Sequence, residues 1–514
     1  MMFWIIYFIV VTYLQLFHAI VAHAFFNLLL CIFVFFPISE RFARKKLIEK
    51  IRYIIGLIAG LILLWHESYL PSAGIFWQFL IDKDLRPSFS FIVRFIFSKI
   101  HLKVLIATSI IGLFAYFISH TKFRKYFGIF FMCCFFIIGF TERASVDSDL
   151  AGSFYNNEEK RVVTFSSTSN DNFDVVILQL CSFSWDDFVY VNYDMKPFFK
   201  NFDYIFTNFN SATSYSNPAV LRLLRSTCGQ TTEDKLFTDV NSQCYIMEDL
   251  RKLGYSTYTI LNHDGNYSGF KDAIVKYGKA DVPLDNSKLK PAEVSFDDTL
   301  IYSDKDALSL WFASPEADIH KNSALFYNSI TLHTGSKYVN NPYLSNNDQY
   351  TLSLSDLTND INEIFDRIKK TNRKTIVLLV GEHGAAIRGS ALQPATVREI
   401  PLPQITQVPA VIKFFGPGFN ERTDGYGIVN DKPLSYLGIM ELLSRVLQKN
   451  PYNGEQLLKL KLTDNLPETS FVSESQSGTI LQNDLGLFYK LKKYENWDIL
   501  PSSLSAGASD YFSR

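Results

Sequence analysis

The segment Thr375-Ile-Val-Leu-Leu-Val-Gly-Glu-His-Gly384 indicates the fold class of this chain. Its apolar run, which ends before Gly381, is short and rich in β-branched residues, as is typical of a buried strand. Two residues that can ligate a metal, Glu382 and His383, follow at once. In open α/β sheets ligands bind beyond the carboxyl ends of the strands, so this pattern favours such a sheet.

Similar runs occur before and after this strand, and helical patterns lie between them. The other predicted strands are Val175–Leu180, Ser256–Leu261, Ala324–Leu332 and Pro409–Phe415. Apolar residues at three/four spacing predict one helix from Leu354 to Ile368 and another from Ile246 to Leu253, where Gly254 ends it. The alternation predicts an α/β domain with a largely parallel sheet flanked by helices.

Candidate ligands follow two other predicted strands. Cys181 comes directly after the first strand, and His333 comes directly after the strand that begins at Ala324. Because the carboxyl ends of parallel strands meet at one edge of a sheet, we expect both near Glu382 and His383. Thiolate, carboxylate and imidazole groups make a suitable three-ligand zinc site with a fourth position open.

A helix start supplies a candidate nucleophile for this edge. In the segment Ser211-Ala-Thr-Ser-Tyr-Ser-Asn-Pro218, hydroxyl residues precede a helix that Pro218 is expected to open. Free backbone N–H groups and the helix dipole favour an anion at such a position. Ser216 is therefore a candidate nucleophile for phosphoryl or acyl transfer, and zinc beside it would lower the pKa of its hydroxyl.

Each of these residues also has a purely structural interpretation, and the same holds for Arg398 and Tyr215. The structural alternatives are a buried thiol for Cys181, a solvated loop pair for Glu382 and His383, a helix cap for Ser216, a surface or hydrogen-bonded ring for His333, a surface cation for Arg398 and a packed ring for Tyr215. Their convergence at strand ends favours a functional site.

The N-terminal 141 residues differ sharply from the rest of the chain, because they are mostly apolar and rich in Phe and Ile. The candidate membrane spans are Phe3–Ile38, Tyr53–Trp65, Leu102–Ser119 and Tyr126–Phe140. The first is about twice the length of one span, so two short helices that turn near His18–His23 are expected. This part therefore predicts a membrane domain of about five transmembrane helices.

Basic residues orient these spans. They crowd the segments Arg41–Arg52 and Lys122–Lys125, which are expected in the cytoplasm, so the chain after Phe140 is expected outside. A cleaved signal peptide ending at Ala22-His23-Ala24 is the alternative. No basic region precedes that segment, and apolar sequence continues beyond it, which favours the membrane domain.

The polar segment Ser145–Asn172 is rich in Ser, Asn, Asp and Glu and is predicted to be a linker. The predicted division is a membrane domain at 1–141, a linker at 142–172 and an exported catalytic α/β domain at 173–514. The net charge of −1 provides no general attraction for nucleic acid.

The exported part contains three cysteines, an odd number in an oxidising compartment. Cys228 and Cys244 bracket a short polar loop and could close it as a disulfide, which would stabilise the fold by about 3 kcal/mol. Cys181 would then remain free to act as a ligand.

Six segments resemble, in the same order, segments of the bacterial cellulose phosphoethanolamine transferases, the G component of cellulose synthase operons, in the alkaline phosphatase/sulfatase superfamily. They are Leu180–Asp186, Asn208–Gln230, Phe326–His333, Gly381–Ala385, Arg398–Pro403 and Val411–Gly416. The resemblance covers nearly the whole chain, including the five-span N-terminal domain.

The resemblance implies an alkaline-phosphatase-like mixed sheet and a set of site residues. The implied roles are nucleophile for Ser216, zinc ligands for Cys181, Ser216, Glu382 and His383, substrate contacts for Tyr215, His333 and Arg398, and a disulfide for Cys228 and Cys244. It also implies that phosphoethanolamine passes from phosphatidylethanolamine to glucose hydroxyls of nascent cellulose. The protein would then lie in the bacterial inner membrane beside the cellulose synthase complex, with its catalytic domain in the periplasm.

Other functions remain open. The acceptor could be lipid A, another glycan or water, and the exported domain could be a non-catalytic scaffold of the synthase complex. The chain departs from the family pattern at Asn217, where Gly is frequent, at Thr334, where Asp is usual, and at Gly381, where Pro is usual. None of these changes removes a proposed ligand or the nucleophile, and Thr334 directly follows His333.

Overall fold

The structure is a computed structural model of the chain. It describes residues 2–16, 24–35, 45–67, 150–166, 173–313, 322–390, 392–420, 425–483, 486–491 and 497–500.

In the described part of the chain, three N-terminal helices are followed by a mixture of helices and strands. The helices there are α1 Met2–Leu16, α2 Ala24–Phe35, α3 Lys45–Glu67, α4 Leu150–Glu158, α5 Trp185–Tyr190, α6 Lys196–Phe199, α7 Ser216–Leu224, α8 Ile246–Lys252, α9 Phe270–Gly278, α10 Asp304–Ala313, α11 Asn346–Thr371, α12 Pro403–Thr406, α13 Tyr436–Lys449 and α14 Leu457–Leu460. The strands there are β1 Asp174–Leu180, β2 Tyr204–Asn210, β3 Ser256–Leu261, β4 Pro291–Val294, β5 Leu300–Tyr302, β6 Ser323–Ser329, β7 Lys337–Tyr338, β8 Thr375–Gly381, β9 Gln407–Phe415, β10 Ile428–Asn430, β11 Val472–Ser475, β12 Gly478–Gln482, β13 Phe488–Leu491 and β14 Trp497–Ile499.

The N-terminal run Phe3–Ile38 contains two helices, as predicted. Helix α3 begins at Lys45, inside the segment predicted as a basic loop, because Lys, Arg and Glu are themselves good helix formers. Across all described residues, none of the helices combines the length and the apolar character that crossing a membrane requires. The predicted spans Leu102–Ser119 and Tyr126–Phe140 lie outside the described residues, so the membrane domain stays a prediction.

The main sheet has seven strands in the order β10-β2-β9-β8-β1-β6-β3. All neighbouring pairs are parallel except those that β9 makes with β8 and β2, so the sheet is mixed and largely parallel, as predicted. The predicted strands correspond to β1, β3, β6, β8 and β9. The prediction Ala324–Leu332 runs three residues too far, since β6 ends at Ser329.

Helices cover both faces of this sheet. Alternate residues of β1 point to opposite faces, so Val175 and Ile177 join one apolar core while Val176 and Leu178 join the other. The first core includes residues of α7, α8, α9 and α13, and the second includes residues of α5, α6, α10 and α11. The result is a three-layer α/β/α arrangement with the parallel strand ends open at one edge.

The segment predicted as a linker differs from the prediction in its described part. Helix α4 lies within it, and Tyr155 of that helix is buried against Val472, Leu481 and Tyr489 of the small antiparallel sheet β11–β14. Apolar side chains thus anchor this polar segment on the C-terminal sheet, a contact that local composition does not reveal.

The predicted disulfide between Cys228 and Cys244 is present. It joins the segment after α7 to the short 3-10 turn Ser242–Cys244 that precedes α8. The cross-link therefore closes the polar loop behind the helix that begins at Ser216.

Candidate metal centre and nucleophile

Helix α7 presents Ser216 as its first residue. Its N-cap is Tyr215, which has extended backbone angles and makes no capping hydrogen bond with its side chain. The helix starts two residues earlier than the position of Pro218 predicts, and proline is tolerated there because N–H groups of the first turn lack intrahelical partners. Ser216 is not the N-cap, and its hydroxyl is directed elsewhere.

That hydroxyl faces two of the predicted ligands. Ser216 Oγ lies 3.3 Å from His383 Nε2 and 3.7 Å from Cys181 Sγ. The sulfur in turn lies 3.9 Å from the same imidazole nitrogen. Ser216 is only partly buried, so it can be reached from solvent, whereas Cys181 and His383 are buried.

Strand pairing brings these ligands together. Leu180 of β1 pairs with Gly381 of β8, and the Glu382 N–H donates to the Leu180 carbonyl at 2.8 Å. Cys181 and Glu382 therefore leave two adjacent parallel strands at the same level. One donor atom from each of Cys181, Glu382 and His383 lies within 4.8 Å of the others, so the three could hold a metal ion.

The hydrogen bonds of the Glu382 carboxylate indicate whether the cluster suits a metal ion. Its Oε1 accepts a hydrogen bond from Asn328 Nδ2 at 2.6 Å, while the buried Oε2, 3.6 Å from His383 Nε2, has no hydrogen-bond partner. A buried carboxylate oxygen without a partner is costly unless a cation compensates it. Thiol, carboxylate and imidazole donors are the groups that zinc prefers, so the cluster fits that ion.

Burial and neighbouring charges disfavour the ionised forms of the cluster when no cation is bound. Burial, reinforced by Glu382, raises the pKa of the Cys181 thiol to about 12. Burial also raises the pKa of Glu382 and, with the Arg398 charge, lowers the pKa of His383 well below its usual range. A divalent cation would reverse this preference for the thiol and the carboxyl, since its charge favours their ionised forms.

Arg398 and Tyr215 adjoin the cluster. Arg398 Nη1 lies 2.9 Å from His383 Nδ1, and the guanidinium carbon lies 5.8 Å from the centre of the Tyr215 ring. The Tyr215 hydroxyl donates to Glu399 Oε1 at 2.6 Å. The predicted substrate residue Tyr215 therefore has its hydroxyl engaged with a carboxylate, which leaves its ring as the group available for contact.

His333 lies on a turn beyond β6, because Ile330, Thr331 and Leu332 separate it from the strand end. Its ring stacks on Phe296 at 5.2 Å between centroids, and its buried Nδ1 has no hydrogen-bond partner. Burial, together with the Arg398 charge, lowers the pKa of His333 to about 3, so the imidazole is neutral at physiological pH.

The His333 turn borders a cleft. Thr334, Gln349 and Tyr350 are among its lining residues. Thr334 replaces the Asp that is usual in the family, so a neutral hydroxyl lines this cleft in place of a carboxylate.

Sequence reasoning missed two supporting residues, Asn328 and Asp187. Asn328 is a polar residue that directly follows the run 324–327 of apolar and aromatic residues in the fully buried strand β6, and a buried amide there was a usable signal. Asp187 Oδ2 accepts from Ala385 N–H at 2.6 Å and Oδ1 accepts from Ile387 N–H at 3.0 Å, so it holds the loop after His383. Its signal was the Ser184-x-x-Asp pattern of a helix start.

Sequence comparison matches the two parts of the chain to one family. The description "Cellulose biosynthesis protein BcsG N-terminal domain" matches residues 4–138, and "Cellulose biosynthesis protein BcsG C-terminal domain" matches residues 140–497. Cellulose biosynthesis protein BcsG of Escherichia coli K12 is 36% identical over 334 residues, and that of Salmonella typhimurium LT2 is 34% identical over 334 residues. Each match covers 64% of this chain, which spans 59% of the length of each relative.

Solved structures show weaker similarity. A protein of the alkaline phosphatase superfamily from Vibrio parahaemolyticus has a TM-score of 0.48 at 15% identity, covering 71% of this chain and 91% of its own. Lipooligosaccharide phosphoethanolamine transferase A from Neisseria meningitidis has a TM-score of 0.41 at 12% identity, covering 85% and 94%. The zinc complex of the periplasmic domain of EptC from Escherichia coli has a TM-score of 0.42 at 13% identity, covering 61% and 93%. TM-scores below 0.5 are too low to transfer a fold or a function.

Proposed function

This chain belongs to the family of cellulose biosynthesis protein BcsG, and we propose that it is a zinc-dependent phosphoethanolamine transferase that acts on cellulose. The phosphoethanolamine group and the cellulose acceptor rest on the sequence resemblance described above. The transfer chemistry rests on the site, because a half-buried serine hydroxyl lies beside three buried side chains that suit a metal ion.

The observation that carries the proposal is the approach of Ser216 Oγ to the ligand atoms of Cys181 and His383. A serine that served only as a helix cap would direct its oxygen to N–H groups of its own first turn. Here the oxygen lies instead next to the cluster, at a helix start that favours negative charge. That position suits a nucleophile that attacks an anionic phosphodiester.

The first step transfers the headgroup to the enzyme. The Ser216 oxygen attacks the phosphorus of phosphatidylethanolamine, and the bond from phosphorus to the glycerol oxygen breaks. Diacylglycerol leaves with one proton, and the serine hydroxyl loses one. The product is a phosphoethanolamine ester of Ser216.

The second step transfers the group to the acceptor. A glucose hydroxyl of nascent cellulose attacks the same phosphorus, and the bond to the Ser216 oxygen breaks. The acceptor hydroxyl loses a proton and the serine regains one, so the enzyme returns to its starting state. Phosphoethanolamine remains on the glucan as an ester.

Arg398 and His333 are proposed to bind the phosphate oxygens. The Arg398 guanidinium already lies at the cluster, 2.9 Å from His383 Nδ1, and its N–H groups suit oxygens that gain charge during transfer. The neutral His333 ring can donate one N–H to a phosphate oxygen. Tyr215 is proposed to shape the wall of this site through its ring, because its hydroxyl is bonded to Glu399.

Cys181, Glu382 and His383 would hold the zinc ion, with Ser216 Oγ at the fourth position. Zinc, when bound, would lower the pKa of the serine hydroxyl and stabilise charge on a phosphoryl oxygen. The protein contributes a buried site in which Glu382 Oε2 makes no hydrogen bond and can bind a cation.

The N-terminal part is proposed to anchor the enzyme in the bacterial inner membrane. A membrane domain at 1–141, a connecting segment at 142–172 and a periplasmic domain at 173–514 would give access to a lipid donor and to an exported glucan. The proposed partner is the cellulose synthase membrane complex.

The test is solid-state NMR of the extracellular polymer from cells that carry the wild type or Ser216→Ala. We expect the aminoethyl-phosphate signal on glucan to disappear with Ser216→Ala, because no oxygen remains to form the ester. The matched control is Ser444→Ala on α13, which removes a buried hydroxyl that donates to the Thr164 carbonyl. This variant should keep the aminoethyl-phosphate signal.

Persistence of the signal in the Ser216→Ala polymer would contradict the nucleophile assignment. A Ser216-dependent signal on lipid A instead of glucan would keep the chemistry and change the acceptor. If neither the glucan nor lipid A of wild-type cells carried phosphoethanolamine, the proposed transferase function would be contradicted.

A further inference from the structure

A chain of buried hydrogen bonds leads from His263 through Asn328 to Glu382 of the candidate metal cluster. His263 Nε2 lies 3.2 Å from Asn328 Oδ1, and Asn328 Nδ2 lies 2.6 Å from Glu382 Oε1. Asn328 and Glu382 have no exposed surface, and His263 is 5% exposed. Asn328 of β6 pairs with Leu261, the last residue of β3, and His263 follows two residues later, so the pairing of these strands brings His263 near Asn328.

A backbone contact sets the direction of these hydrogen bonds. The Gly265 N–H donates to His263 Nδ1 at 3.1 Å, so the ring proton of a neutral imidazole lies on Nε2. That proton is donated to Asn328 Oδ1, which turns the amide nitrogen toward Glu382. The reverse orientation of the amide would place its oxygen against a carboxylate oxygen and its N–H₂ against an N–H.

The same contact distinguishes the two oxygens of Glu382. Asn328 occupies Oε1, while Oε2 is left without a partner and lies 3.6 Å from His383 Nε2. We infer that Asn328, oriented by His263, is a positioning residue that presents Glu382 Oε2 to the metal. The inference rests on the zinc-holding role of Glu382 in the proposed function.

A neutral amide suits this role. An Asn N–H stabilises the ionised carboxylate without adding a charge that would compete with the metal for it. A cation at the same place would pair with Glu382 directly and weaken its attraction for zinc. The hydrogen-bonded chain ends in a neutral imidazole, so the support adds no net charge to the buried site.

The experiment measures zinc binding to the full-length protein by competition with a chromophoric chelator, and it records the visible spectrum of the cobalt-substituted form. Asn328→Asp places a carboxylate against Glu382 and should weaken zinc binding about 10- to 100-fold. His263→Phe keeps the ring that packs against Phe270 but removes the donor, and it should weaken binding about tenfold. Both substitutions should shift the visible absorption bands of the cobalt-substituted protein, because the Glu382 carboxylate would be free to rotate.

Two further variants separate positioning from general stability. His263→Gln keeps an N–H donor of similar reach and should bind zinc within roughly threefold of the wild type. Asn210→Asp makes the same substitution at a buried Asn of β2, which bonds Val472 and Ala212 away from the cluster. It should leave zinc affinity and the cobalt spectrum of the folded protein unchanged.

Wild-type zinc affinity in both Asn328→Asp and His263→Phe would overturn the inference, and so would an equal loss in Asn210→Asp. A wild-type protein that binds zinc but transfers no phosphoethanolamine would sink the proposed function and leave the positioning role intact. A wild-type protein that binds no zinc would overturn both.

Discussion

Replacing Asp187 by asparagine should loosen the loop that carries Glu382 and His383. The carboxylate accepts three hydrogen bonds: from the Ser184 hydroxyl at 2.7 Å, from the Ala385 N–H and from the Ile387 N–H. It is fully buried, so these donors have no water to replace it. Asparagine has nearly the same shape, and the change therefore tests the hydrogen bonds rather than the packing.

The expected loss of unfolding free energy follows from the hydrogen-bond donors that lose a partner. With its nitrogen in place of Oδ2, the amide leaves the Ala385 N–H unsatisfied, while the Ser184 hydroxyl can turn to accept from that nitrogen. Turned the other way, the amide leaves the Ile387 N–H unsatisfied. One buried donor without a partner costs about 1–3 kcal/mol. Burial raises the pKa of Asp187, so removing its charge offsets part of this cost, and we expect a net loss of about 2 kcal/mol.

The assay is urea denaturation of the full-length protein, followed by near-UV circular dichroism, together with zinc affinity. Zinc binding should weaken about tenfold, because the loop that orients His383 loses its support. Asp186→Asn is the matched control on the same helix turn. Asp186 is also buried, but it pairs with the exposed Arg388 instead of backbone N–H groups, and burial raises its pKa to about 7. An amide there removes a buried charge, so this change should alter the free energy of unfolding by no more than about 1 kcal/mol.

Unfolding of Asp187→Asn at the same urea concentration as Asp186→Asn, with equally tight zinc binding, would contradict the supporting role of Asp187. A drop in stability with wild-type zinc affinity would contradict it too, since the loop would then not transmit its support to His383.

Two further predictions concern stability. Replacing Cys228 and Cys244 by serine opens a cross-link between residues 16 positions apart and should lower the free energy of unfolding by about 3 kcal/mol in urea denaturation; a loss below about 1 kcal/mol would contradict the loop-entropy argument. Burial raises the pKa of Glu293 from 4.5 to about 7, so the folded state keeps a proton that the unfolded state releases, and this contribution is lost as pH rises from 4.5 through 7. Relative to Glu293→Gln, the wild type should lose about 3 kcal/mol of unfolding free energy between pH 4 and pH 8, and parallel pH profiles of the two proteins would refute the assignment.

Local pattern was sufficient for the strands that build the site. The apolar runs 175–178 of β1 and 376–380 of β8 are continuous because both faces of these strands are covered by helices, and continuous runs are visible without knowing their partners. Strand β2 escaped prediction because Thr207 and Asn208 interrupt its apolar residues, and β10 has only three residues. The helix α4 was missed because its burial depends on the distant sheet β11–β14.

By itself, the sequence determined that Cys181, Glu382 and His383 stand at strand ends. Each of them follows an apolar run that can be recognised as a buried strand from the local sequence alone. Only the tertiary structure decided which strands are neighbours, and hence that Asn328 meets Glu382 and that His263 meets Asn328. Periodicity records how each strand is buried but not which strand lies beside it. The residues proposed to orient the metal ligands therefore depend on strand order, whereas the positions of the proposed ligands themselves follow from the local pattern.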